Sequence, residues 1–309
     1  MRVAVVGAGG VVGRAAVTAL VDFGYDVVGL ARSQEAARAL HDAGAESAIT
    51  DLRDIDGLAA MFAGADAVCH FVTHVPAGPV ALHLRAWRRH DRLRTEGARC
   101  LTVAAREARV RRIVAESSSL LYADQGEAWV SESSPLEITS TTEPLCVAES
   151  HVQEFAAPAA GGGRVGVVLR LGSIVGDNEA TRARVRAARH GHPVAMGSPD
   201  GYSHVIHTDD LGSAVVAALA VPSGVYNVGA EPVRRRELVD AFAVAGGRTS
   251  GGFAGSLARR VGGARLEPLS RSLRVSSDTF VTQSGWRPRR ARFDVSWVVQ
   301  GRRPREVAR

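Results

Sequence analysis

The sequence predicts an α/β chain built on a doubly wound parallel sheet with a smaller C-terminal lobe, and three observations predict it. An apolar run, Val3-Ala4-Val5-Val6, leads straight into glycines at positions 7, 10 and 13. Strand-like and helix-like stretches then alternate as far as residue 171, the pattern of a parallel sheet covered by helices. A chain of 309 residues with 46% hydrophobic content can bury a full core and carry an attached lobe.

Residues 3–6 read as a buried strand, and residues 7–13 as a tight turn entering a helix. Gly7 suits the turn, Gly10 lets backbone N–H groups approach a pyrophosphate, and Gly13 lets the new helix lie close to the sheet. Val11, Val12, Ala15, Ala16, Ala19 and Leu20 recur at helical spacing up to Gly24, and strand 26–30 completes a βαβ unit. Such a unit binds a dinucleotide, so Gly7, Gly10, Val11, Val12 and Gly13 are candidate cofactor contacts. The end of the second strand selects between cofactors, because an acidic side chain there holds a free ribose 2′-OH whereas a 2′-phosphate needs a cation. Ala31-Arg32-Ser33 offers a cation and no acid. NADP is therefore expected ahead of NAD, with Arg32 and Ser33 as contacts.

The alternation continues with helix 34–42, strand 46–49, helix 54–62, strand 66–71, a long polar helix 80–108 and a fifth strand from Arg111 to Ser117. A helix over 143–155, a strand over 165–171 and helices over 209–220 and 236–245 follow, the last leading into a glycine-rich linker at 246–263. The expected division is a nucleotide-binding Rossmann core over 1–172 and a substrate lobe over 173–309, interleaved with the last core elements.

Composition narrows the function classes. All 38 basic residues are arginine, the net charge is +6, and the arginines alternate with acids in the absence of any nucleic-acid-binding motif, so they read as a solvated surface. No stretch of about 18 apolar residues is present, and the chain starts directly in a strand; a cytoplasmic protein without a membrane span is expected. Cys69, Cys100 and Cys146 are scattered and the His190/His192 pair lacks partners at ligand spacing, so neither a disulfide framework nor a metal site is expected. The expected partner is a small-molecule substrate, with a homodimer left open.

The GxxGxxG loop is followed by Asp51-Leu52, by Ala65-Asp66-Ala67-Val68-Cys69-His70 and by Arg111-Arg112-Ile113-Val114 running into Ser117-Ser118-Ser119. Leu169-Arg170-Leu171-Gly172, His207-Thr208-Asp209-Asp210-Leu211, Val225-Tyr226-Asn227-Val228-Gly229 and Ser284-Gly285-Trp286-Arg287-Pro288 come next in order. Together these motifs resemble the extended short-chain dehydrogenase/reductases, the NAD-dependent epimerase/dehydratase family. The resemblance implies that Asp51 and Leu52 border the adenine. Phe71, Val72 and the loop carrying His74 would run along the cofactor, Ser118 would polarise the substrate, and Ser173, Asp177 and Arg271 would lie in the substrate lobe near it. For Arg271 a purely structural role is equally open.

Three positions depart from that family. Arg94 stands where relatives place a supporting Asn, Leu145 where they place the catalytic Tyr, and Glu149 where they place its Lys partner. Because the chain contains no lysine, no shift of register restores the couple. The usual mechanism needs a phenol whose pKa is lowered by a neighbouring ammonium; Leu145 has no proton to exchange, and Glu149 could only accept hydrogen bonds from ribose hydroxyls. A substitute acid among Tyr122, His74, His151 and Cys146 is the expectation. The implied protein is an atypical NADP-binding reductase-like or epimerase/dehydratase-like enzyme of a small, secondary-metabolite type of substrate. A non-redox isomerase or cyclase on the same scaffold, and a silent NADP-binding sensor, remain alternatives.

Overall fold

The structure, a computed structural model, describes residues 1–73, 84–158, 162–255 and 266–299. At its centre lie seven parallel strands: β1 (Arg2–Val6), β2 (Asp26–Ala31), β3 (Glu46–Ile49), β4 (Ala67–His70), β5 (Arg112–Ser118), β6 (Val165–Leu171) and β7 (Gly224–Val228). They lie in the order β7-β6-β5-β4-β1-β2-β3. The order reverses at β1, which pairs with β2 on one side and β4 on the other, and opens a crevice at the carboxyl ends of these strands.

Alternation along β1 builds both halves of the core. Val3 and Val5 face a cluster containing Ala16, Leu20, Phe280 and Trp286, while Ala4 and Val6 face Leu58, Leu101, Ala104 and Phe155. Val3, Ala4, Val5 and Val6 are all fully buried, which is why this strand reads as a continuous apolar run. The first face is covered by α1 (Val11–Asp22) and α7 (Thr208–Ala218), the second by α3 (Ile55–Phe62), α4 (Leu84–Glu107) and α5 (Glu143–Ala156). α2 (Gln34–Asp42) packs on β2 and β3.

Beyond residue 172 the chain both builds a lobe and returns to the sheet. Ser173–Val175 pairs in parallel with Val205–His207, and Val175, Val205, Phe242 and Trp297 form a third apolar cluster under α6 (Glu179–Arg189) and α8 (Arg235–Ala245). β7 nevertheless pairs with β6 along its whole length, and α7 packs on α1. A short parallel pair, Arg274–Val275 with Trp129–Val130, ties the lobe to the segment after β5.

Several elements escaped the sequence pattern. α6 has little apolar periodicity and is set instead by its cap: Asn178 Oδ1 accepts from the Thr181 backbone N–H at 2.9 Å, and Glu179 pairs with Arg182 and Arg186 on the following turns. A further helix, α9 (Asp278–Ser284), ends at Gly285 with φ 70°, a left-handed C-cap. The first residues expected in the long polar helix, 80–83, lie outside the described residues. Among the described residues no helix is long and apolar enough to cross a membrane.

Candidate nucleotide and active site

The crevice at the carboxyl end of β1 holds a cavity of about 960 Å³, lined at one end by Gly7, Gly9 and Gly10. The glycine loop is shaped by contact. Gly7 has φ +93°, and a Cβ there would sit 2.5 Å from the Phe71 carbonyl carbon; a Cβ on Gly13 would sit 2.1 Å from the Gly7 carbonyl oxygen. Only glycine lets the turn close and the helix approach. α1 begins directly after Gly10, with no side-chain cap and no acid in its first turn, so its N–H groups and the positive end of its dipole are left for an anion. This cradle fits a dinucleotide pyrophosphate.

The other end of the cavity lies between the ends of β2 and β3 and the first half of α4. Arg32, Asp51 and Leu52 line it, while Phe71 and Val72 line the cavity beside Gly7. The Asp51 carboxylate accepts from the Arg53 backbone N–H at 2.9 Å and from its guanidinium at 3.1 Å, and these bonds hold it below the usual carboxylate range. Val12 and Gly13 are buried in the packing of α1, Val11 opens that helix, and Ser33 caps α2 by accepting from the Ala36 N–H at 3.2 Å. Arg53 on the β3 side and Arg89, Arg92, Leu93 and Glu96 on α4, which no sequence motif marks, also line the cavity. Positions 89, 92, 93 and 96 share one helical face, a signal hidden because the arginines were read as solvated surface.

At the carboxyl end of β5 the family's catalytic positions come together, with different chemistry. Glu149, expected to reach toward a ribose, is turned inward instead: Ser117 Oγ donates to its Oε1 at 2.5 Å, Arg170 Nε to Oε1 at 3.0 Å and Arg170 Nη2 to Oε2 at 2.7 Å. Both partners of this ion pair are 5% exposed, and a buried carboxylate is tolerable only with such pairing. Leu145 lies on the same inward face of α5, together with Ala148 and Val152. Arg94, in the place of the supporting Asn, forms a second buried pair; its Nη2 donates to Glu116 Oε1 and its Nη1 to the Glu116 carbonyl, each at 2.8 Å. Burial raises the Glu116 carboxyl pKa, against the pull of Arg94.

The candidate acids fare differently. Tyr122 is fully buried, its hydroxyl donates to Asn227 Oδ1 at 2.7 Å, and the Arg170 guanidinium lies 4.9 Å over its ring. Burial pushes the phenol up, and its hydrogen is committed inside the fold, so the expectation that it offers a proton to the pocket is corrected. His151 sits six residues after Leu145, about 240° round the helix, with Nδ1 3.6 Å from the exposed Glu154; it is not brought to the Leu145 face. His74 lies outside the described residues, and Cys146 is half-buried beside Leu145 on α5. Ser118, at the end of β5, is not among the residues that line the cavity; its Oγ accepts from the Leu120 N–H at 3.2 Å, which leaves its own hydrogen to donate.

In the lobe, Ser173 Oγ accepts from Arg184 at 3.4 Å, and Asp177 pairs with Arg182 at 2.6 Å on the surface. Arg271 is corrected as a substrate contact. Its side chain is fully buried, donates to the carbonyls of Leu120, Tyr122 and Glu137 at 3.0, 3.0 and 2.9 Å, and pairs with Glu267 at 2.5 Å. Those bonds are structural: they pin the segment after Ser118 to the lobe.

A 3-diazoavenalumate denitrifying reductase from Streptomyces sp. is 29% identical over 314 aligned positions, taking in 93% of this chain and 96% of that protein. MoeE5, solved in complex with UDP-glucuronic acid and NAD, matches with a TM-score of 0.75 at 23% identity, covering 97% of this chain and 96% of its own. UDP-glucose 4-epimerase from Thermus thermophilus, in complex with NAD, matches with a TM-score of 0.74 at 20% identity, covering 97% of both chains. These two structures speak for the fold. The profile of the NAD dependent epimerase/dehydratase family matches residues 3–229, well over half of the chain, and the chain belongs to the NAD-dependent epimerase/dehydratase family.

Proposed function

We propose that this protein is an NADP-dependent reductase for a small, strongly electrophilic substrate that needs no proton from the enzyme, with an aryl diazonium group as the acceptor. One observation carries the reading: an apolar Leu145 and an internally paired Glu149 occupy the positions where the family keeps a phenol and an ammonium. Reduction of a carbonyl leaves an alkoxide that must be protonated, which is the task of that phenol. An arenediazonium ends differently. A C–H bond forms, the C–N bond breaks, dinitrogen carries away the nitrogen, and the ring is reduced by two electrons: ArN2⁺ + H⁻ → ArH + N2. No acid is required, and the relative whose name describes a denitrifying reductase of a diazo compound supports this class.

A reduced nicotinamide, when bound, supplies the hydride. The chain's own residues hold and orient. Gly7, Gly10 and the N–H groups opening α1 receive the pyrophosphate, and Arg32, with Ala31 in place of an acid, receives a 2′-phosphate. Ser118 has its hydrogen free for an acceptor atom on the substrate, and Leu145 puts an apolar side chain where the family keeps its phenol. Ser173 and Asp177 are the candidate contacts for the polar part of the substrate.

The test is incubation with a diazonium-bearing aryl carboxylate and NADPH deuterated at nicotinamide C4. Cofactor oxidation matched one for one by dinitrogen release, with deuterium on the ring carbon that bore the diazo group, is the expected outcome. Consumption of carbonyl substrates with no turnover of the diazonium would overturn the reading.

A further inference from the structure

The adenosine end of the cavity is lined by four arginines, Arg32, Arg53, Arg89 and Arg92, against two carboxylates, Asp51 and Glu96. They are not equivalent. Arg53 is committed to Asp51 at 3.1 Å, so those two charges largely cancel. Arg32, Arg89 and Arg92 have no carboxylate or hydrogen-bond partner among the described residues, although all three are arginines able to form a bidentate fork. They come from different elements: Arg32 directly follows β2, and Arg89 and Arg92 lie one turn apart on α4. Other arginines of the same helix, Arg88 and Arg99, are also exposed but do not line the cavity.

A surplus of cations in a concave site calls for a ligand anion at that place. The pyrophosphate is accounted for by the glycine loop at the other end. We infer that Arg89 and Arg92 of α4 form, with Arg32 directly after β2, a two-sided clamp for the 2′-phosphate of the cofactor, so that α4 as well as the end of β2 determines specificity. This rests on the NADP reading above. A phosphate monoester carries a charge of about −1.5 to −2 at neutral pH and three acceptor oxygens, more than one guanidinium can satisfy. The clamp would also close the open side of the adenosine site with a helix whose Gly97 already packs on Leu52, where an added Cβ would sit 2.5 Å from Leu52 Cδ2.

The test measures binding by calorimetry, with adenosine 2′,5′-bisphosphate and 5′-AMP as probes that differ only in the 2′-phosphate. Wild-type protein is expected to prefer the bisphosphate, and the Arg89→Ala/Arg92→Ala variant to lose at least about tenfold of that preference, read as the ratio of its affinities for the two probes. Arg88→Ala/Arg99→Ala removes the same charge from the same helix and is expected to leave the preference intact. A preference that survives in Arg89→Ala/Arg92→Ala overturns the clamp; if Arg32→Ala alone then abolishes it, the NADP reading stands with β2 as its sole source. Equal wild-type affinity for both probes overturns the clamp and the NADP reading together.

Discussion

Glu149 and Arg94 carry the chain's departure from its family at the level of single side chains, and each is half of a buried ion pair. Restoring the family residue therefore breaks a pair instead of repairing a site. Glu149→Lys would set an ammonium against the Arg170 guanidinium in the interior, and Arg94→Asn would strand the Glu116 carboxylate. Each is expected to lower unfolding free energy by about 3–5 kcal/mol, measured by urea denaturation. Little or no loss for Glu149→Lys would show that residue 149 can turn toward solvent and that the ribose contact is available after all. Likewise, Leu145→Tyr with Glu149→Lys is not expected to create a carbonyl dehydrogenase, and rapid ketone reduction by that variant would contradict the internal pairing. The substitutions themselves were legible in the sequence, because the motif fixes positions 145 and 149. Their partners were not: Arg170 is 21 residues from Glu149 and Glu116 is 22 from Arg94, and only the sheet brings them together. Tyr122 was misjudged for the same reason, since its acceptor, Asn227, lies 105 residues away.

Among the elements, those with a strong local signal were legible and those set by distant contacts were not. The glycine loop, β1, α1 and β2 follow from apolar periodicity and from glycine positions where a Cβ would collide with backbone. α6 has no apolar signal because a cap and surface ion pairs define it, and the cavity face of α4 has none because the residues there that line the cavity are mostly charged. The segment from Ser119 to Glu137 has no long strand or helix of its own; it is held by Arg271, whose guanidinium reaches three of its carbonyls. Arg271→Met fills a similar volume but leaves those carbonyls unsatisfied. It is expected to lower stability by about 3 kcal/mol or more, and to raise proteolytic cleavage in 119–137 under native conditions. An Arg271→Met protein as stable and as resistant as wild type would reopen the substrate role of this residue.

Over the whole molecule, the sheet and the lobe are one fabric, because β7 and α7, both drawn from beyond residue 172, complete the sheet and its helical cover. Two buried histidines make this measurable. His70, at the end of β4, and His204, between the lobe strands Tyr202–Ser203 and Val205–His207, have no hydrogen-bond partner at either ring nitrogen among the described residues. Burial pushes both down to about 3, with Arg94 adding to the effect on His70. Each is neutral in the fold but takes up a proton in the unfolded chain below about pH 6.5, so its stability contribution is complete above that pH and is lost as pH falls toward 3. The expected slope is about 1.4 kcal/mol per pH unit for each histidine. Carboxylates held low in the fold, such as Asp51 and Asp294, begin to matter only near and below about pH 4, and Glu116, raised by burial, acts in the opposite sense. The histidine contributions are therefore read as differences between pH 6.5 and 5, comparing wild type with His70→Asn and His204→Asn. If the sheet and lobe unfold together, either variant flattens the pH slope of a single transition by one proton's worth. Two transitions, each losing slope with only one of the variants, would make residue 172 a true folding boundary in spite of the strand and helix that cross it.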